Sequence, residues 1–221
     1  MDIKQVLMSK ALFDNYRRPI LIFSSILLLF IFLSFSSLGE QAMFSLFKRY
    51  DVELSPVVKG RITDGGKAVS GMEVVRELSY SGYDNGKLII DYALTDINGE
   101  FSFDELIVKS KSPGDIFGQD APVKQYIFFH KDIDESTDEN NEHWLWRVSK
   151  HWTSVPFLNN YLNQLNTDLQ NKELHYEFDL TEYGLRADQM VISTCYWQGN
   201  KISAYYGDDL EEVTSFDDLE D

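Results

Sequence analysis

The run PILIFSSILLLFIFLSFSSL, residues 19–38, is twenty residues long and carries no charge. As a helix rising about 1.5 Å per residue it spans roughly 30 Å, the thickness of a bilayer's hydrocarbon core. No other feature limits the chain as much. If the run stays in a membrane, everything after it folds on one side. Lys4, Lys10, Arg17 and Arg18 precede the run, and the last two abut it. That bias predicts a cytoplasmic tail over 1–18, one transmembrane helix over 19–39 and an exported remainder. In a Gram-negative cell this is a single-pass inner-membrane protein with a periplasmic domain. Ser34 and Ser36 leave a cleavable signal peptide open as the rival. The run outlasts the about 7–15 residues of a signal h-region, which favours an uncleaved anchor.

The whole chain has 221 residues and a net charge of −16, and its first 39 residues are net basic. The acidity therefore belongs to the exported part. It argues against nucleic acid as a partner, since phosphate neutralisation needs basic surface. It suits a basic protein partner, or solubility alone. With 43% hydrophobic and 14% aromatic residues, a packed core is within reach. Cys195 is the only cysteine, so no intrachain disulfide forms. Between VIST and YW it reads as a small buried hydrophobe in a strand.

Residues 40–55 read as a juxtamembrane stalk, 56–204 as the folded domain and 205–221 as an acidic tail, solvated or seeking a basic partner. Within the domain, VVKGRIT, GMEVVREL, FSF and VKQYIFFH read as strands separated by turns. NGKLIIDYALT places Leu88, Ile90, Tyr92 and Leu94 on one face. Phe157, Tyr161, Leu165 and Leu169 recur every four residues and predict one amphipathic helix over SVPFLNNYLNQLNTDLQ, with Ser154 as cap and Pro156 in its first turn. ELHYEFDL is a further strand. MVISTCYW and KISAYY are expected to form a closing hairpin across Gln198, Gly199 and Asn200.

LTDINGEFSF, residues 94–103, sets Asp96, Asn98 and Glu100 at alternate positions around Gly99. A calcium loop starting at Asp96 needs Gly at its sixth position and Glu at its twelfth. Phe101 and Ile107 stand there instead. Asp96, Asn98 and Gly99 are therefore expected as a structural hairpin turn that sends Phe101 and Phe103 into the core.

The series VVKGRITDGGKAVSGMEVV, followed by a strand ending in Thr95-Asp96-x-x-Gly99-x-Phe101, resembles carboxypeptidase-regulatory, or transthyretin-like, domains over roughly residues 56–130. LNTDL and VISTCYW extend the resemblance to an uncharacterised proteobacterial subgroup of that fold. The resemblance implies a mostly β, antiparallel transthyretin-like sandwich, here with one added amphipathic helix and the N-terminal transmembrane helix. It implies no activity. Hydrolases of this fold use His and Arg residues and a Tyr-Arg-Gly-Ser-type ending. This chain ends in FDDLED, so those roles do not carry over.

No nucleophile elbow, zinc-binding helix motif, paired C-x-x-C or phosphate loop is present. The expectation is a protein that is not an enzyme, with no catalytic or metal residues and no cofactor. Asp132, Asp134 and Glu135 lie in a polar, acidic stretch, KDIDESTDENNEH, between His130 and the tryptophans Trp144 and Trp146. If this is a strand, the two tryptophans share a face. They are core anchors or, with the acidic loop as rim, a partner-binding surface. Three functions stay open. The first is a tethered periplasmic module that binds a protein, in concrete form an immunity protein neutralising a toxin. The second is an accessory subunit of an envelope complex, and the third a metal-dependent sensor or enzyme using the 130–143 loop.

Overall fold

The computed structural model describes residues 25–28, 48–114, 121–130, 142–185 and 188–219. The expected transmembrane run lies outside the described residues except for 25–28, which are helical and exposed. Residues 40–47 of the expected stalk and the acidic residues 131–141 also lie outside them. Among the described residues, no helix is long and apolar enough to cross a membrane. The chain separates into two units, residues 1–48 and 49–221. The second is described here.

It is mostly β, with antiparallel sheets and one short helix. The large sheet contains β4 (Glu73–Tyr80), β5 (Ile89–Leu94), β8 (Val123–His130), β9 (Glu142–Lys150), β11 (Leu174–Phe178), β12 (Gln189–Ser193), β13 (Ile202–Tyr206) and β14 (Glu211–Glu212), in the order β14-β13-β11-β12-β9-β8-β4-β5. The small sheet is built on β2 (Val58–Asp64), which pairs antiparallel with β3 (Lys67–Ala68) and β6 (Glu100–Phe103) and parallel with β10 (Leu165–Asp168). A separate ladder joins β1 (Tyr50–Ser55) to β7 (Leu106–Ser110).

Alternation decides what goes inside. Val58 and Ile62 from β2 and Phe101 and Phe103 from β6 pack with Val74, Ile127, Trp146, Tyr176, Phe178 and Val191 of the large sheet. A second cluster joins Val52 and Leu54 of β1, Val108 of β7, Leu78 and Tyr80 of β4, and Val123 of β8. Between the two clusters β4 carries Arg76 and β8 carries Gln125, both buried. Arg76 is paired with Asp91 and donates to the Asp104 carbonyl (2.7 Å) and to Ser55 Oγ (3.3 Å). Gln125 Nε2 donates to the same Ser55 Oγ, and Trp146 Nε1 donates to Gln125 Oε1 at 3.1 Å. Buried polar groups left unpaired are costly, so this connected chain fixes β1, β4, β5 and β8 relative to one another.

Several expectations need correction. The helix, α1 (Pro156–Leu162), is seven residues long, and Leu165–Asp168 is strand β10. Asn, Thr and Asp crowd that segment and are poor helix formers. Leu165 and Thr167 are buried while Asn166 is exposed, a period of two that coexists with the four-residue spacing of the apolar residues. Val155, not Ser154, occupies the cap position; Pro156 does open the helix. The closing hairpin does not form, because β11 inserts between β12 and β13 and pairs with both. Residues 50–55, expected in the stalk, are β1, with Val52 and Leu54 fully buried. The acidic end is not simply solvated: β14 pairs with β13, and Phe216 stacks on Tyr196 at 4.5 Å.

Candidate functional site

Trp144 and Trp146 do not share a face. The β8–β9 register shifts between Ile127 and Phe128, so that Trp146 lies opposite Ile127 and Trp144 opposite Phe128. Adjacent residues of a strand point to opposite faces, and the extra residue in β9, Leu145, is a β-bulge. Trp146 enters the core and is fully buried. Trp144 stays half-buried on the outer face of the large sheet.

There it joins an aromatic group. Trp144 packs edge-on to Tyr126 at 5.7 Å and lies 4.9 Å from Phe128. His130 meets Phe128 edge-on at 5.3 Å. The Arg147 guanidinium lies 5.0 Å from the Trp144 ring centre and 5.9 Å from that of Tyr126, an arrangement that favours the cation through the ring quadrupoles.

The group continues sideways through the ladders. Phe128 is opposite Val75, and Val75 is opposite Tyr92; Tyr126 is opposite Glu77, and Glu77 is opposite Ile90. Here the structure assigns the face that the alternation of β5 left open. Leu88, Ile90, Tyr92 and Leu94 do share a face, but it is the outer one. Tyr92 is 63% and Leu94 66% exposed. Asp91, on the other face, is drawn inward by Arg76. Among the described residues, β5 pairs only with β4, so its far edge is open.

Acidic residues accompany this surface: Glu77 stands within it, between Ile90 and Tyr126, while Glu73 lies on β4, Glu142 at the start of β9 and Glu173 just before β11. Burial raises the Glu173 pKa, and the charges of His175 and Arg147 draw it back. Asp132, Asp134 and Glu135 lie outside the described residues. His130 and Glu142, which flank that loop, are paired with each other. His143 stacks on Phe129 at 5.2 Å. Among the described residues no group of three His, Cys, Asp or Glu side chains could hold a metal ion.

Asp96, Asn98 and Gly99 form the expected turn. Asp96 Oδ1 accepts from the N–H groups of Asn98 (2.8 Å) and Glu100 (2.9 Å). Gly99 has φ +75°, and a Cβ there would sit 2.4 Å from the Ile62 carbonyl oxygen. The turn also moves the chain from one sheet to the other, since β5 pairs with β4 and β6 with β2.

The buried reactive groups have structural surroundings. Burial pushes the Cys195 thiol up to about 12, so little thiolate forms near neutrality. Burial lowers the Lys150 pKa, partly opposed by Glu53. The outer side of the small sheet borders an open cleft of about 1080 Å³ lined by Lys59, Arg61, Glu100, Ser102, Asn166 and Asp168.

Sequence reasoning singled out Trp144 and missed Tyr92, Ile90, Leu94, Tyr126, Phe128 and Arg147 as one surface. Their signal was present as apolar alternation in β5 and β8. Alternation separates two faces without saying which is inside.

A family described as "Domain of unknown function (DUF6795)" matches residues 58–172, just over half of the chain. The matched segment contains β4, β5, β8 and β9 whole and ends before β11. No curated protein and no solved structure matches the chain.

Proposed function

The chain belongs to the DUF6795 family, and from that premise we propose that it is a non-catalytic module that captures a protein partner on the outer face of β5, β4, β8 and β9. One observation carries the reading. Exposed Ile90, Tyr92 and Leu94 share the outer face with half-buried Trp144 and Tyr126 and exposed Arg147, linked across the sheet through Val75 and Phe128 and accompanied by acidic residues. Aromatic and arginine anchors inside a polar rim are the usual anatomy of a binding hot spot. The net charge of −16 favours a basic partner by electrostatic steering.

Two further parts belong to the same proposal. We read residues 56–130 as a transthyretin-like sandwich, supported by the Val58-x-Gly60-x-Ile62 strand and the Thr95-Asp96-x-x-Gly99-x-Phe101 turn. We read residues 19–38 as a tether in the bacterial inner membrane, supported by their uncharged length and the basic residues before them. A tethered, acidic, motif-poor binding domain suits an immunity protein that intercepts a basic toxin in the periplasm.

The test is a pull-down from membranes with the full chain and with a Trp144→Ala/Arg147→Glu variant that stays folded, its melting temperature lowered by no more than about 4 °C. The expected result is a stoichiometric partner with the native chain and at least a tenfold loss with the variant. Hydrogen exchange of the complex then shows added protection over residues 123–130 and 142–148. A partner held equally by the variant, or none at all, would overturn the reading.

A further inference from the structure

The two edges of the large sheet are unlike. At one end β14 is two residues long, and both are glutamate. A short, charged edge resists pairing with another strand. At the other end β5 is six residues long, IIDYAL, and contains no proline and no lysine. Its ladder with β4 runs from Glu73–Leu94 to Leu78–Ile89 without a register shift, so no bulge turns it away. Its one charge, Asp91, is drawn inward to Arg76. Shortness, proline, lysine and a bulge are therefore absent from β5, and its one edge device is the inward-pointing Asp91.

We propose that β5 pairs antiparallel with β5 of a second copy of this chain, with Tyr92 opposite Tyr92, so that two large sheets continue as one. A two-fold axis normal to the sheet keeps each residue on its own face. Outward residues then meet only outward residues, and the axis passes through a residue position.

That leaves few registers, and charge chooses among them. Centring on Asp91 sets two carboxylates directly opposite, which is repulsive. Centring on Ile90 sets Leu94 against Gly86, in a turn where Asp84 and Asn85 have positive φ and the chain is not extended. Centring on Ala93 leaves only residues 92–94 of β5 paired within the strand. Centring on Tyr92 sets Ile90 opposite Leu94 and Asp91 opposite Ala93. This register pairs residues 90–94 of each β5, with Ile90 opposite Leu94 on the outward row and no like-charge pair.

The second copy then adds its own Tyr92, Ile90 and Leu94 to the outer face. The pairing is independent of partner capture, and its test reads a different quantity.

The test uses the full chain in a nonionic detergent, with the protein mass measured by sedimentation equilibrium. The expected result is a dimer at micromolar concentration. Tyr92→Lys places like charges opposite each other and weakens the dimer at least tenfold. Because Tyr92 is 63% exposed, the melting temperature is unchanged at dilutions where both chains are monomeric. A second measurement fixes the register. Directly opposed Cβ atoms in an antiparallel pair lie about 4.5–5.5 Å apart, close to disulfide reach. Tyr92→Cys therefore cross-links two chains on mild oxidation. Ile90→Cys, whose counterpart is offset by four residues, does not. Buried Cys195 supplies no background. A monomeric native chain would overturn the proposal, as would a dimer that survives Tyr92→Lys or equal cross-linking by both cysteines. A monomer that co-purifies with a foreign strand on β5 would assign the edge to another occupant and overturn it too.

Discussion

The outer sides of the two sheets were built by the same alternation and ended up opposite in character. The small sheet shows Lys59, Arg61, Glu100, Ser102 and Asn166 to solvent. The large sheet shows Ile90, Tyr92 and Leu94 beside Trp144, Tyr126 and Arg147. An antiparallel sheet with one buried face is free to make the other polar, and the small sheet does so. A contiguous apolar row on the second face is unusual, whereas single exposed apolar residues are ordinary. The difference suggests that one face is finished by water and the other by a protein.

The two tryptophans of β9 offer the largest test of that contrast. Trp146→Ala removes a fully buried ring and leaves Gln125 Oε1 without its donor. It is expected to cost about 3–5 kcal/mol in urea unfolding. Trp144→Ala, one bulge away, is expected to cost about 1 kcal/mol of stability because its ring is only partly buried. Its larger effect falls on partner capture, at about 2 kcal/mol, the level of a binding hot spot. If both variants destabilise alike, the outer face is a second core and the contrast fails.

This pair also shows what the sequence hides. The spacing of Trp144 and Trp146 implied one face, and a single inserted residue in β9 placed them on two. The strands β2, β4, β8 and β11 were legible, because their inward residues repeat every second position. The Asp96–Gly99 turn was legible as well, because it is local side-chain chemistry. The order β13-β11-β12 was not, since it depends on pairing between distant segments. Nor was the truncation of α1, where LNTD satisfies a period of four and a period of two at once. Of the candidate site, Trp144 was found from sequence. The β5 row was seen as a row, and the assignment of its face required the Arg76–Asp91 pair.

Asp168 gives a smaller effect, on the polar side. Burial alone would raise its pKa, but hydrogen bonds from Gly66, Thr63, Gln170 and Gly65 outweigh that and hold the carboxyl below its usual range. Thr63 Oγ1 donates to it at 2.7 Å and the Gly66 N–H at 2.9 Å. A depressed folded pKa contributes stability above the unfolded value, near about pH 4, and that stability is lost as pH falls through the folded value. Asp168→Asn is expected to lose about 1 kcal/mol at neutral pH. Thermal melts at descending pH should show a shallower loss below about pH 4 in the variant than in the native chain.

The smallest expected effect is the sharpest control. Lys59 and Ser102 face each other across β2 and β6 on the outer side of the small sheet, and both are exposed. Lys59→Ala with Ser102→Ala removes an amine and a hydroxyl from the polar face and leaves every described core residue in place. The expected change is within about 0.5 kcal/mol in unfolding, the ordinary range for surface positions. Partner capture is expected to stay within twofold. An acidic protein that binds a basic partner gains, if anything, from losing a surface lysine, so improved capture at low salt fits long-range steering. A large loss of capture would mean that the cleft bordered by Lys59 and Asn166 is the recognising surface. The apolar row on β5 would then need a different cover, which edge pairing with a second copy does not supply, because it lengthens that row rather than burying it.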